Sequence, residues 1–442
     1  MVSFLKEKRF LLLALAVLPF FDLIFSPLAT GFLLLLIIQA YRQESTENIF
    51  ILFWVTLIYS DNFNIEFASF FKPIFVIIVF SYAVLLLKKM DSFKSLAKYF
   101  LVFFIIAFVA LLFSPIIFKG FQKYLSFVLM YLSIPILTIK MLQEDKLKSL
   151  KYFSYVGFLV LVECIIQYLF FSYAVSHGGR LHGVFGNPNG LGMFCLFLVL
   201  LIEIVRYYDT SWLSKKQHWL FIGFILVVIL LSGSRASLLS VIIFYVFARL
   251  TKISPLVSFV FVSLLAAFYD SVLVLGIDFL QTLNLKAQFR ITDDNESIAS
   301  GRLVAWRFAW EEIQNSFFIG KGWNYDEHWV YGPISALLSS LNHQGGVHNT
   351  YLILWLNNGI IGLTAFIGGL ISLVLSISQR VKIIFPVLYA GLFQAYFEPW
   401  LAGSLNPYTI IFLVILTITL NYSSEEFKTI SVSNESLEEQ AA

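Results

Sequence analysis

Charge is what this sequence has least of. Only 13% of its 442 residues are charged, about half the share found in soluble domains, whereas 59% are hydrophobic and the mean hydropathy is +0.84. That balance excludes an ordinary soluble domain. Cysteine is equally scarce. Cys164 and Cys195 both lie in apolar runs and make no CxxC, so neither a thiol redox motif nor an outer-face disulfide is expected. No fixed repeat and no low-complexity tract is present. There is no GxSxG elbow, no Walker loop and no HExxH spacing, which argues against an acyl hydrolase, a cytoplasmic ATPase and a metal centre. Acidic residues inside apolar runs are rare too. Glu163 and Glu203 are the helical candidates, with Glu203 near an inner end. A transport path would need more of them, and no inverted repeat is visible.

Apolar runs are what the chain does have, along almost its whole length. They lie near Phe10–Phe25, Leu28–Ala40, Ile49–Tyr59, Phe70–Leu87, Tyr99–Phe118, Tyr124–Ile139, Tyr152–Tyr173, Leu191–Val205, Trp219–Leu231, Ser237–Leu250, Leu256–Leu275, Asn349–Ile377, Ile383–Phe397 and Tyr408–Leu420. The expected fold is an all-α polytopic membrane protein with about 12–14 transmembrane helices, several shorter than the ~20 residues of a perpendicular span. The opening MVSFLKEKRFLLLALAVLPF resembles a signal peptide but has no small-residue cleavage site, and reads as a retained first helix. With the amino terminus cytoplasmic, two thirds of the basic residues fall in inner loops, from Lys6 and Lys8 to Arg380 and Lys382. This bias predicts an even number of crossings with both termini inside.

Three divisions follow: amino-terminal helices over 1–175, a membrane region over 176–420 that includes an outer loop at 277–347, and a polar cytoplasmic tail over 421–442. The outer loop has 71 residues, long enough to carry a function or a fold of its own. Within it, Leu303, Trp306, Trp310, Ile313 and Phe317 recur at three and four residues and predict an amphipathic helix ended by Gly320 and Gly322. That helix either lies on the outer membrane face or packs on the bundle.

The polar residues of note fall on the outer side. His348 stands where a polar loop meets an apolar helix, either as a hydrogen-bonded structural residue or as a proton-handling group. Arg180 lies in HGGRLHGVFGNPNGLG, Arg235 at the tip of a tight hairpin in LLSGSRASLL, and Arg302 in the first turn of the amphipathic helix. Snorkelling to headgroups accounts for any single one of them. Three together, flanked by Gly or Ser on the face that carries His348, point to a binding site for an anionic, diphosphate-like group. Asn187-Pro188 disfavours helix before it, and Asn189 is expected to cap the helix that follows. The glycines there have no βαβ context, so no dinucleotide fingerprint is read. His177, His182, His343 and His348 share no metal spacing, and Asp293, Asp294, Asn295 and Glu296 read as a solvated acidic loop.

Four stretches in order, GRLHGVFGNPNGLG, LSGSRASLL, SGRLVAWRFAW…IGKGW and HNTYLILWLNNGIIGLT, together resemble the O-antigen ligase and polymerase family of bacterial envelope glycosyltransferases. They span Arg180 to Thr364, and the amino-terminal helices match only in hydropathy. Family ligases often carry Ser or Thr directly after the second glycine of the histidine motif. Here Leu363 stands there, with Thr364 next, so ligase and polymerase both remain implied.

The resemblance implies a GT-C-like fold in the bacterial inner membrane, with both termini cytoplasmic and the active site facing outward. It implies a donor glycan on undecaprenyl diphosphate and a sugar hydroxyl acceptor on lipid A–core or on a second carrier-linked glycan, with no cofactor, no metal and no nucleic acid. In that reading His348 is the general base. Arg302 stabilises the departing diphosphate, and Arg180, Arg235, Asn189 and Asn349 bind substrate. The alternatives are a permease of envelope lipids or solutes and a non-catalytic envelope scaffold.

Overall fold

A computed structural model describes residues 2–62, 65–88, 90, 93–176, 178–250, 253–268, 302–336 and 346–423. The acidic run 293–296, His177, His343 and most of the polar tail lie outside these residues. Among the described residues the chain is helical throughout, with one isolated bridge, Val175 to Leu181, and no strand. It is an all-α polytopic membrane protein.

Each of the fourteen apolar runs has a helix of its own over most of its described residues. After a short α1 (Val2–Glu7) they are α2 (Arg9–Ile24), α3 (Ser26–Arg42), α4 (Thr46–Tyr59), α5 (Glu66–Leu87), α6 (Ala97–Leu111), α7 (Ile117–Asp145), α8 (Lys148–Phe170), α9 (Pro188–Tyr208), α10 (Lys215–Ser232), α11 (Arg235–Arg249) and α12 (Pro255–Ala267). Two shorter helices follow, α13 (Arg302–Gln314) and α14 (Tyr325–Tyr331), and then α15 (Thr350–Ser378), α16 (Ile384–Phe397) and α17 (Pro407–Asn421). Six of them, α5, α7, α8, α9, α10 and α15, are long and apolar enough to cross a membrane.

Helices that are apolar all round sit at the centre. Nearly every residue of α4, α9 and α17 is buried. Trp54 joins two of them by donating from its indole N–H to the Pro407 carbonyl at 3.1 Å. Gly157 of α8 lets Leu198 of α9 and Trp54 approach where a side chain would collide. The connections gather at two ends. At one, Glu7 holds Lys148 and Tyr152, Lys151 holds Asp209, and Lys94 meets Asn421. At the other, the turns after α4, α8, α10 and α16 meet.

The first break in regular geometry prepares the site. Helix α15 is interrupted at Gly359, whose φ of 67° is left-handed. A break inside a membrane bundle frees backbone groups that lipid cannot satisfy. The segment after α13 satisfies them. Ile360 and Ile361 donate to the Phe317 and Phe318 carbonyls at 2.8 and 3.4 Å. In return Lys321 and Gly322 donate to the Leu356 and Asn357 carbonyls at 2.8 and 3.1 Å. The segment after α13 is thus stitched into the bundle through a broken helix.

Helix α13 differs from its expected pattern. Its buried face runs through Ala305, Ala309 and Ile313 against Trp329, Val347, Ile353 and Leu356, so it packs on α15. Leu303 and Trp310, counted on the stripe from spacing alone, are 54% and 40% exposed. Small residues won the inner face because they let the two helix backbones approach. Ile313 is common to both patterns, and Trp306 packs half-buried against the same cluster.

Candidate functional site

The site forms where α9, α11, α13 and α15 start and α16 ends. Each start has a local cause. Asn187, not Asn189, caps α9: its Oδ1 accepts from the Gly190 N–H at 2.8 Å, and Pro188 takes the first helical position, where its missing N–H costs nothing. That frees the Asn189 side chain for another use. Gly233, at φ 60°, turns the chain from α10 into α11, with Arg235 opening the new helix half-buried. Asn349 caps α15, accepting from Tyr351 and Leu352 N–H at 2.9 and 3.0 Å. Its role is to start that helix directly behind His348. Helix α16 stops because Glu398 precedes Pro399 and is extended, with φ −145° and ψ 147°.

The carboxylate of Glu398 joins these ends. Oε1 accepts from Arg302 Nη2 at 2.6 Å and from Asn189 Nδ2 at 2.9 Å. Oε2 faces His348 Nδ1 at 3.2 Å. Its main-chain carbonyl accepts from Thr350 Oγ1 at 2.9 Å, so the backbone is held as well. Arg180 extends the network, giving Nη2 to Asn189 Oδ1 at 2.8 Å and Nε to the Ser232 carbonyl at 2.7 Å. Arg235 follows Ser232 by three residues. Below it, Ser237 and Ser240 of α11 donate to Gln394 of α16, one turn before Glu398.

Glu398 is only 4% exposed, yet its carboxyl titrates below the ordinary value of 4.5. Burial pushes it up, but the Arg302 guanidinium, the His348 ring and Asn189 outweigh burial. An ionised carboxylate only accepts, so the proton facing it must sit on His348 Nδ1. In that tautomer Nε2 carries the ring's lone pair. His348 is itself at φ 50°, left-handed for a residue with a side chain. Trp306 fixes the preceding residue by donating to the Val347 carbonyl at 2.8 Å.

Of the residues singled out from sequence, His348, Arg302, Asn189 and Arg180 are joined in one network, Asn349 supports it as a cap, and Arg235 opens the adjoining helix. His182 stands apart, its Nδ1 closing a turn at the Phe185 carbonyl, 2.8 Å away. Sequence reasoning missed Glu398. The signal was a lone acidic residue at the end of an apolar helix, inside FEPW, of the kind that marks function in membrane segments. Glu163 and Glu203, noticed instead, are tied to Tyr59 and Gln167, and to His218 and Tyr245.

No curated protein matches the chain. Residues 220–367, about a third of it, match the family model described as O-antigen ligase, a span that holds Arg235, Arg302, His348 and Asn349 and stops short of Glu398. Over that stretch the chain is similar to the O-antigen ligase family, in line with the resemblance its motifs carry.

Proposed function

We propose that the protein moves a glycan from undecaprenyl diphosphate onto a sugar hydroxyl at the outer face of the bacterial inner membrane, as a ligase to lipid A–core or as a polymerase on a carrier-linked glycan. The observation that carries this reading is the single buried carboxylate that holds His348 Nδ1 on one oxygen and Arg302 on the other. The acceptor hydroxyl gives its proton to His348 Nε2 as its oxygen attacks the anomeric carbon of the donor sugar. The bond from that carbon to the diphosphate oxygen breaks, and the leaving group takes the electron pair. Arg302, Arg180 and Arg235 supply positive charge where negative charge develops. Glu398 holds the imidazole in the reactive tautomer and stabilises the imidazolium that forms. Glu398 and Asn189 also keep the guanidinium groups of Arg302 and Arg180 apart and oriented.

The test uses purified protein in lipid nanodiscs with carrier-linked glycan and acceptor. Transfer by the wild type and its loss in His348→Ala, with the variant still reaching the membrane, are the expected results. Wild-type transfer by His348→Ala removes the imidazole from the mechanism, and no transfer by the wild type removes the reaction.

A further inference from the structure

A second carboxylate lies at the same end of the bundle, and the transfer chemistry does not use it. Asp61 follows α4. Its Oδ2 accepts from the Gly186 N–H and the Tyr408 hydroxyl, each at 3.3 Å, which leaves Oδ1 without a hydrogen bond among the described residues. The turn that carries Asn189 separates it from Glu398. A Cβ at Gly190 would stand 3.0 Å from Asp61 Oδ2, and the neighbouring residue, Asn189, holds Glu398. A Cβ at Gly186 would meet the Asp61 carbonyl at 2.0 Å, so glycine is needed for this approach. Lys72, near the start of α5, lies within electrostatic reach of Asp61, and Asp61 within reach of Glu398.

We propose that Asp61 and Lys72 form an acceptor subsite beside the His348–Glu398 centre, binding the hydroxyl groups of the sugar that receives the glycan. The proposal rests on the transfer reaction above. The charges choose the ligand. A diphosphate gains from the three arginines and would be repelled by a carboxylate. Asp61 and Lys72 carry opposite charges and between them offer acceptors and donors, which suits an uncharged, hydroxyl-rich ring. Its place one residue along the turn from the Asn189–Glu398 contact puts a bound sugar next to the base that must take its proton.

The probe is the oligosaccharide released by mild acid from membranes of a strain lacking this protein. On a His348→Ala background, which cannot turn over, binding is compared with and without Asp61→Asn and Lys72→Met. Asparagine keeps the shape and the polar contacts of Asp61, so the loop stays in place. The expected result is binding by the His348→Ala protein, weakened tenfold or more by either second substitution. In otherwise wild-type protein the same substitutions should raise KM for the acceptor about tenfold while kcat falls less than threefold. Equal binding with and without them, no binding by His348→Ala, or a fall in kcat at unchanged KM each overturns the subsite. Absence of transfer by the unsubstituted protein overturns the reaction instead, and the binding comparison is read without it.

Discussion

Replacing Glu398 by glutamine isolates one charge. The side chain keeps its length, and its amide oxygen can still accept from Arg302 and Asn189, now 2.6 and 2.9 Å from Oε1. Its NH2 group then faces His348 Nδ1, 3.2 Å from the present Oε2. Two donors cannot face each other, so Nδ1 must accept and the ring proton moves to Nε2. The base no longer presents a lone pair to the acceptor. Loss of the orienting carboxylate in a Ser-His-Asp triad lowers kcat about 10⁴-fold. Here His348 retains its neighbours on α15, so a fall of about 10³-fold, or about 4 kcal/mol of activation free energy, is expected. Stability should fall as well. Breaking a buried ion pair costs about 3–5 kcal/mol, and the lower end applies because the Arg302 side chain is 22% exposed and water takes up part of the loss. The assay is the initial transfer rate at equal amounts of folded protein, with Glu398→Asp as the charge-keeping comparison. A glutamine variant within threefold of wild type would refute the role given to this carboxylate.

The helix break gives a second prediction. Gly359→Ala should lower stability by more than the ~1–2 kcal/mol of left-handed strain, since its Cβ meets the Phe318 carbonyl at 2.0 Å. Gly368→Ala in the same helix, with nothing within 4 Å, should be neutral or slightly stabilising in the same thermal melts. Arg302→Ala should cost about 2–4 kcal/mol of transition-state stabilisation, read from kcat/KM. Arg180→Ala should in addition lower the yield of folded protein, because it leaves the Ser232 carbonyl and Asn189 Oδ1 without their donor. The pH dependence follows from the depressed Glu398 carboxyl. A carboxyl that titrates lower in the folded state stabilises the fold above its ordinary value of 4.5 and loses that contribution as pH falls through the lower folded value. The gap in apparent Tm between wild type and Glu398→Gln should therefore stay constant from neutral pH to about 5 and close only in stronger acid.

The architecture was legible because apolar runs of helical length are a strong, local signal. Each of the fourteen has a helix over most of its described residues, short ones such as α4 and α16 included. Helix α13 was legible as a helix but not in its orientation. Periodicity weights large apolar residues, whereas close packing on α15 selected Ala305 and Ala309. The break at Gly359 was hidden in NNGIIGLT, since a glycine within an apolar run reads as helix unless a partner segment is known to pair with the freed backbone. The site shows the same limit. Arg302 and His348 announce themselves as polar residues at the ends of apolar helical stretches. Glu398 is 50 residues from one and 96 from the other, and no spacing rule links them.

The matched family stretch and the physical site therefore do not coincide. The match begins after Arg180 and Asn189 and ends before Glu398, although Asn189 and Glu398 are in direct contact at 2.9 Å. Arg302 and His348, both within the match, meet through a residue outside it. A carboxylate between a cation and an imidazole separates two groups that would repel once the base has taken its proton, and it makes protonation of His348 less costly where a diphosphate departs. A fragment confined to residues 220–367 would keep the recognisable motifs and lose the charge that relates them. It should fail to transfer glycan even if it reached the membrane, whereas co-expression of the flanking segments, if they reassemble with it, should restore activity only when Glu398 is present.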